Sequence, residues 1–157
     1  MLDLYEELKK LIAEFDRDRI DYALCGGIAL AVHNRPRATV DIDLMILSDS
    51  LSAVMTIAKD LDYTIRGLDM SFANDAIEIR RVSKIDKETG FVLSLDLLLV
   101  TPQIQPIWDS RVQANWEAGK LSVVSREGLI ALKRISGRLQ DLADIDALME
   151  DVDDATN

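Results

Sequence analysis

Residues 22–47 constrain the fold more than any other part of the chain. A short apolar run ends at Cys25, two glycines follow it, and residues 28–32 have a composition that suits a helix. A loop containing Pro36 then leads to Asp41-Ile42-Asp43, which opens a second apolar run. Proline cannot continue a helix and restricts the residue before it. The stretch therefore predicts a strand, a glycine turn, a helix, a loop and a second, buried strand.

Gly26 and Gly27 stand between the first predicted strand and the helix. Backbone N–H groups at the start of a helix have no helical partner, and the helix dipole is positive there. Glycine has no Cβ that would block a close approach. The two glycines therefore predict a turn that binds an anion such as phosphate.

Asp41 and Asp43 are separated by one residue in a predicted strand. Because side chains alternate between the faces of a sheet, both carboxylates project from one face while Ile42 points the other way. Aspartate is depleted in strands, and two like charges on an apolar strand are costly unless they are compensated. A divalent cation would compensate them, and Mg²⁺ prefers such oxygen ligands together with substrate phosphates.

A third acid lies in a later apolar run. Residues 76–82 alternate, residues 86–90 form a turn, and residues 91–100 are almost wholly apolar, so an antiparallel hairpin is predicted. Asp96 interrupts the apolar strand, where a charge is costliest. Glu78 matches a similar apolar-acid-apolar pattern, but it lies in the alternating strand beside Arg80. Both acids are candidates for a third site position, and Asp96 is favoured.

The order of these motifs resembles a known family. Gly26-Gly27 followed by Arg37-x-Thr39-x-Asp41-x-Asp43 is similar to the signature of the nucleotidyltransferase superfamily, which has the polymerase-beta-like fold. The resemblance is closest to a small bacterial branch with lincosamide nucleotidyltransferases and abortive-infection type toxins. It implies an α+β nucleotidyltransferase fold with a mixed central sheet, flanking helices and C-terminal helices. It also implies a third metal-binding carboxylate, which Asp96 supplies.

A second segment carries the same resemblance. Ser125 is a predicted N-cap, residues 126–136 form a helix that stops at Gly137, and Lys133 lies in its last turn. Residues 133–145 are similar to the branch in which a lysine of this helix faces the triphosphate. The alternative is a solvated helix face, with Asp141 capping the next helix.

The resemblance also bears on two residues before the aspartates. Arg37 would reach the triphosphate or remain solvated, and Thr39 would orient Asp41 or simply open the strand. The predicted catalytic and metal-binding residues are Asp41, Asp43 and Asp96. The predicted nucleotide-binding residues are Gly26, Gly27, Arg37, Thr39 and Lys133.

Further elements complete the prediction. Leucines and other apolar residues at helical spacing in residues 4–15 predict an amphipathic helix. Ser48 or Asp49 is expected to cap a helix that runs to Leu61, residues 63–65 are a weak strand candidate, and residues 68–75 are ambiguous. A small hairpin is expected over residues 112–124.

Composition limits the function classes. The 157 residues are 48% hydrophobic, which suits one nucleotidyltransferase-like domain over residues 1–150, followed by an acidic, frayed tail over residues 151–157. The net charge of −10 opposes nonspecific nucleic-acid binding. It also argues mildly against tRNA, which is the one candidate nucleic acid, as a target of the toxin alternative. One cysteine, no signal peptide and no apolar run of membrane-spanning length favour the cytoplasm.

The expected function is a Mg²⁺-dependent transfer of a nucleoside monophosphate from an NTP to an unknown hydroxyl or similar acceptor, with release of pyrophosphate. Three alternatives stay open: a nucleotidyltransferase toxin of a toxin–antitoxin pair, an inactive nucleotide-binding module of the same fold, and an interaction domain in which Asp41 and Asp43 pair with Arg35, Arg37 or Arg80. Candidate partners are a second copy of the chain, in a homodimer, and an antitoxin.

Overall fold

The computed structural model describes residues 2–33, 41–137 and 145–149. Within them the helices are α1 (Leu4–Arg17), α2 (Gly26–Val32), α3 (Leu51–Asp60), α4 (Gln105–Asp109) and α5 (Arg126–Ser136), and residues 145–149 are also helical. The strands are β1 (Ala23–Cys25), β2 (Asp41–Ile46), β3 (Ile65–Arg66), β4 (Met70–Phe72), β5 (Ile77–Ile85), β6 (Val92–Leu99), β7 (Val112–Trp116) and β8 (Gly119–Val123). The predicted α+β class is confirmed.

All eight strands join one mixed sheet in the order β3-β5-β6-β2-β1-β8-β7, with β4 also paired to β5. Strand β2 runs parallel to β6, and β1 runs parallel to β8. The other pairs are antiparallel, including the β5–β6 and β7–β8 hairpins that the sequence predicts. The longest pairings therefore lie at β2, β6 and β5, where the predicted acids are located.

The sheet has two chemically different faces. Ile42 and Leu44 on β2 and Leu95 and Leu97 on β6 are fully buried and point to one face, which we call the helical face. Helix α1 packs on this face and against α3. Its apolar stripe is buried as the helical spacing predicts, at Leu8, Leu11, Ile12 and Phe15.

Asp41, Asp43 and Asp96 point to the opposite face, which we call the acidic face. Helix α2 packs against β2 on this side, and α5 contributes Leu129 and Lys133 to the cleft that these helices form with the sheet. The ends of α5 follow the prediction. The Ser125 hydroxyl accepts a hydrogen bond from the Gly128 N–H, and Gly137 ends the helix with φ of +70°.

Several boundaries differ from the prediction. Ser48–Ser50 form a 3₁₀ turn, so α3 starts only at Leu51 and neither Ser48 nor Asp49 is its cap. The ambiguous residues 68–75 contain β4, and the weak strand is shifted to Ile65–Arg66. Helix α4 was not expected, because its five residues are too few to show a helical period. No helix within the described ranges has the length and apolar character that a membrane span requires.

Candidate active site

Four side chains form a row across the acidic face. Cys25 on β1 aligns with Asp43 on β2, Asp43 aligns with Asp96 on β6, and Asp96 aligns with Arg81 on β5. Aligned residues of neighbouring strands point to the same face with their Cβ atoms about 5 Å apart. The row therefore brings two acids and one arginine side by side, although they lie far apart in sequence.

Asp41 lies two residues before Asp43 on the same face, where it aligns with Ser94. Asp41 and Asp43 are partly exposed, whereas Asp96 is only 7% exposed. The three predicted metal ligands thus share one face. They do not form a ready-made centre, because the described part of the chain contains no group of three His, Cys, Asp or Glu side chains close enough to hold a metal ion.

The contacts of Asp96 are consistent with that finding. Its Oδ1 accepts a hydrogen bond from Arg81 Nε at 2.6 Å, and its Oδ2 accepts one from Arg81 Nη2 at 2.8 Å. Both oxygens are thus engaged by the guanidinium. This hydrogen bonding raises the pKa of Arg81 against the opposing effect of its desolvation, and the nearby negative charges of Asp96, Asp41 and Asp43 raise it further. The arginine is therefore a permanent positive charge beside the acids.

Sequence reasoning did not identify Arg81. It considered Arg80, which forms ion pairs with Glu78 at 3.2 Å and with Asp69 at 3.5 Å. Alternation along β5 places Arg80 and Glu78 on the side of the strand opposite Arg81. The register of the β5–β6 hairpin is the signal that would have located Arg81, since it decides which arginine lies opposite Asp96.

Gly26 lies against Asp43 at the start of α2. Its φ is +70°, and a Cβ at this position would lie 2.2 Å from Asp43 Oδ2. Any larger residue would therefore have to displace the carboxylate as well as adopt a strained backbone conformation. Gly27 follows in the first turn of α2 and is buried. Gly26 thus packs directly on the predicted metal-binding strand.

Lys133 lies in the same cleft as the acids. The polar lining is Gly26, Asp43, Asp96, Lys133 and Ser136, and the apolar lining is Cys25, Phe72, Ile77, Ile79, Leu98, Leu129 and Leu132. Lys133 is 7% exposed and lines the cleft together with Asp43 and Asp96. Burial raises the pKa of the Cys25 thiol well above its ordinary value, Asp43 and Asp96 add to this, and Lys133 opposes it.

The remaining predicted residues have other positions. Arg37 and Thr39, as well as Arg35, Asp141 and the tail, lie outside the described residues. His33, the one histidine of the sequence, is the C-cap of α2, and its Nε2 lies 3.0 Å from the Val124 carbonyl oxygen.

Comparisons with known proteins agree with this geometry. A family model described as the nucleotidyl transferase AbiEii toxin of a type IV toxin–antitoxin system matches residues 8–156. No curated protein matches the sequence. The Thermotoga maritima protein TM1012 has a similar structure, with a TM-score of 0.60, 13% identity and 96% of both chains covered.

Two antibiotic-modifying enzymes also have similar structures. The lincosamide antibiotic adenylyltransferase LnuA, solved with lincomycin bound, is 19% identical, with 92% of this chain and 95% of LnuA covered and a TM-score of 0.57. ANT(2")-Ia, solved with adenylyl-2"-tobramycin, is 14% identical, with 92% of this chain and 87% of that enzyme covered and a TM-score of 0.57. At these identities the similarity establishes the nucleotidyltransferase fold.

Proposed function

Because the chain belongs to the AbiEii family of nucleotidyltransferase toxins, we propose that it transfers a nucleoside monophosphate from an NTP to an acceptor hydroxyl group and releases pyrophosphate. In this reaction the acceptor oxygen forms a bond to the α-phosphorus, the bond from the α-phosphorus to the α–β bridging oxygen breaks so that pyrophosphate leaves, and the hydroxyl proton passes to water or to Asp96. The observation that carries the proposal is the alignment of Asp43 with Asp96 on one sheet face, with Asp41 beside them and Lys133 in the same cleft.

The donor set fits Mg²⁺. Asp41 and Asp43 present hard carboxylate oxygens from one face of β2, and both are partly exposed. Magnesium is usually bound by one or two carboxylates, with waters and substrate phosphates completing its coordination, so two aspartates suffice. When bound, the cation would neutralise charge on the phosphates. Asp96 remains the predicted third ligand, with the alternative that it accepts the acceptor proton.

The other cleft residues have proposed roles toward the NTP. Lys133 would pair with the phosphates, because a buried ammonium group gains most from a charge-assisted hydrogen bond in a site of low dielectric constant. Gly26 and Gly27 would let the phosphates approach the backbone at the cleft wall. Arg37 and Thr39 stay predicted nucleotide-binding residues on the strength of the family resemblance. An NTP is the proposed co-substrate, and ATP is the first one to test.

A transfer assay tests this function. Purified protein is incubated with Mg²⁺ and each of the four α-³²P-labelled NTPs, in the presence of bulk tRNA, lincomycin or tobramycin, and pyrophosphate release and label transfer are measured. We expect one NTP to support transfer, and we expect the Asp41→Asn, Asp43→Asn double variant to lose at least about 100-fold in rate, since a direct metal ligand matters no less than the groups that orient it. Full activity in the double variant would refute the assignment.

The family description favours a second, compatible candidate function, in which the transferase is the toxin of a toxin–antitoxin pair. The acceptor would then be a cellular component, and the partner would be the cognate antitoxin. Induced expression in a bacterial host is expected to arrest growth, and the Asp41→Asn, Asp43→Asn variant at equal expression is expected not to. Equal growth with both proteins would refute the toxin role while leaving transfer to a small acceptor untouched.

A further inference from the structure

The strongest unassigned feature of the cleft is the arginine that holds Asp96. The two hydrogen bonds of 2.6 and 2.8 Å run in parallel from the guanidinium edge to both carboxylate oxygens. A planar two-point contact of this kind fixes the rotation of the carboxylate as well as its position. A lysine would hold only one point, because its ammonium group is a compact charge at the end of a flexible stem.

Arg81 is itself supported from the neighbouring strand. A Cβ on Gly67 would lie 3.1 Å from Arg81 Cβ and Cγ and 3.3 Å from its Cδ, so the bare glycine backbone makes room for the arginine stem. The Gly67 N–H donates a hydrogen bond to the Arg81 carbonyl oxygen at 2.9 Å, and Arg66 Nη1 donates another at 3.0 Å. Backbone and stem are therefore both held before the guanidinium reaches Asp96.

The strand order separates the two neighbours of Asp96. Strand β6 lies between β5 and β2, so Arg81 approaches Asp96 from one side and Asp43 lies on the other. The Arg81 side chain is 39% exposed and the Asp96 side chain is 9% exposed, so the arginine also compensates a buried charge. Compensation of the charge needs only a nearby cation, whereas the two-point contact also fixes the direction of the carboxylate oxygens.

We infer that Arg81 is a positioning residue for the transfer reaction, which fixes the orientation of the Asp96 carboxylate next to Asp43. The inference rests on the proposed function. It assigns Arg81 no direct contact with the NTP, so its loss changes the rate of transfer more than the affinity for the nucleotide. Asp96 serves the reaction only in the orientation that Arg81 imposes.

The test compares two arginines of one strand. Arg81→Lys keeps the charge and removes the two-point contact, whereas Arg80→Lys makes the same change on the opposite side of β5, away from the cleft. Pyrophosphate release is measured for each NTP with Mg²⁺ and with water as the acceptor, which is present in every assay. We expect Arg81→Lys to lower kcat about 10- to 100-fold, the usual loss when a group that orients a metal-site ligand is removed. The KM for the NTP should change much less, and Arg80→Lys should match the wild type in both constants.

A second variant tests the inference in case the Arg81→Lys protein misfolds. Gly67→Ala keeps both charged groups but pushes the arginine stem by a few tenths of an ångström, and it should lower kcat in the same direction by a smaller factor. Melting temperatures of all variants are recorded beside the kinetics. Wild-type kcat in both Arg81→Lys and Gly67→Ala would overturn the inference.

An independent signature does not need turnover. In ¹⁵N-labelled protein, the Nε–H resonance of Arg81 should be protected from exchange and should be identified by its loss in Arg81→Lys. We expect it to shift and lose protection in Asp96→Asn, while the Arg80 resonance stays in place. An Arg81 resonance that is indifferent to Asp96→Asn would overturn the inference. If instead the wild type releases no pyrophosphate from any NTP with water, bulk tRNA, lincomycin or tobramycin as the acceptor, the proposed function itself fails, and the role of Arg81 in it fails too.

Discussion

The two faces of the central sheet each carry an ion pair to strand β5, and the pairs differ in their surroundings. On the helical face, Lys84 Nζ lies 2.5 Å from Glu7 Oε2, and the two side chains are 10% and 3% exposed. On the acidic face, Arg81 pairs with Asp96, and these side chains are 39% and 9% exposed. The first pair is enclosed by α1, while the second borders an open cleft.

Both members of the enclosed pair make further contacts besides the ion pair itself. The Tyr63 hydroxyl donates to Glu7 Oε2 at 3.2 Å, Lys84 Nζ donates to the Leu61 carbonyl oxygen at 3.1 Å, and the ammonium group lies 4.9 Å from the centre of the Tyr63 ring. Burial raises the pKa of Tyr63, and the Glu7 carboxylate raises it further. Such a cluster joins α1 to the sheet. The contrast teaches that the enclosed pair serves the fold, whereas the pair beside the cleft is the one that we infer to serve the site.

The largest effect is expected when the ion pair on the helical face is broken. Glu7→Gln leaves the buried Lys84 charge without its counter-charge, so the free energy of unfolding should fall by about 3 kcal/mol in chemical denaturation. The activity per folded molecule should stay at the wild-type value. The control is Glu6→Gln, since Glu6 is 61% exposed and its 3.0 Å contact with Lys9 is screened by solvent, so its loss should cost much less than the loss of the buried pair. Equal losses in the two variants would contradict the comparison.

A change at Gly26 should act mainly on the transfer rate. Gly26→Ala places a methyl group against the Asp43 carboxylate, so transfer should fall about 100-fold, the cost of displacing a reacting group by about 1 Å. Gly90→Ala is the matched control, because Gly90 has a similar φ of +75° but a Cβ there would meet nothing within 4 Å. Both variants bear the strain of a positive φ, Gly26→Ala bears the contact with Asp43 in addition, and only Gly26→Ala should lose its transfer rate per folded molecule. Comparable rates in the two variants would show that Gly26 matters for its backbone conformation alone.

A smaller effect is expected at Lys133. Lys133→Met keeps the buried stem and removes the charge, so the KM for the NTP should rise about 30-fold, which corresponds to the roughly 2 kcal/mol of a hydrogen bond to a charged group. Arg134→Met removes a neighbouring positive charge from an exposed position of α5 and should leave KM unchanged. If both variants raised KM equally, the effect would come from net charge, and Lys133 would have no specific role.

A structural feature could be predicted from the sequence when the residues that determine it lie close together in the chain. Alternation along β2 correctly places Asp41 and Asp43 on one face, and the caps at Ser125 and Gly137 locate α5, because these rules act within a few residues. The β5–β6 hairpin was predicted for the same reason, from its turn and its apolar strand.

The pairing of Arg81 with Asp96 depends on register between strands, which short-range patterns do not determine. A shift of one residue would have brought Arg80 to Asp96 instead. The enclosed Glu7–Lys84 pair was missed on similar grounds, since a charged residue in an amphipathic helix is normally solvated and only the packing of α1 on β5 buries it. Short elements such as β4 and α4 have too few residues to carry a period.

The central claim is that the acidic face binds a nucleotide through its aspartates, and thermal unfolding tests it most directly. The wild type and the Asp41→Asn, Asp43→Asn variant are unfolded with each of the four NTPs, either in Mg²⁺ or in chelator. A ligand at about 100 times its Kd adds roughly 2.7 kcal/mol, which should raise the melting temperature of the wild type by about 5 to 10 °C. The rise is expected only when Mg²⁺ and both aspartates are present. No rise with any NTP, or an equal rise in the double variant, would contradict the claim.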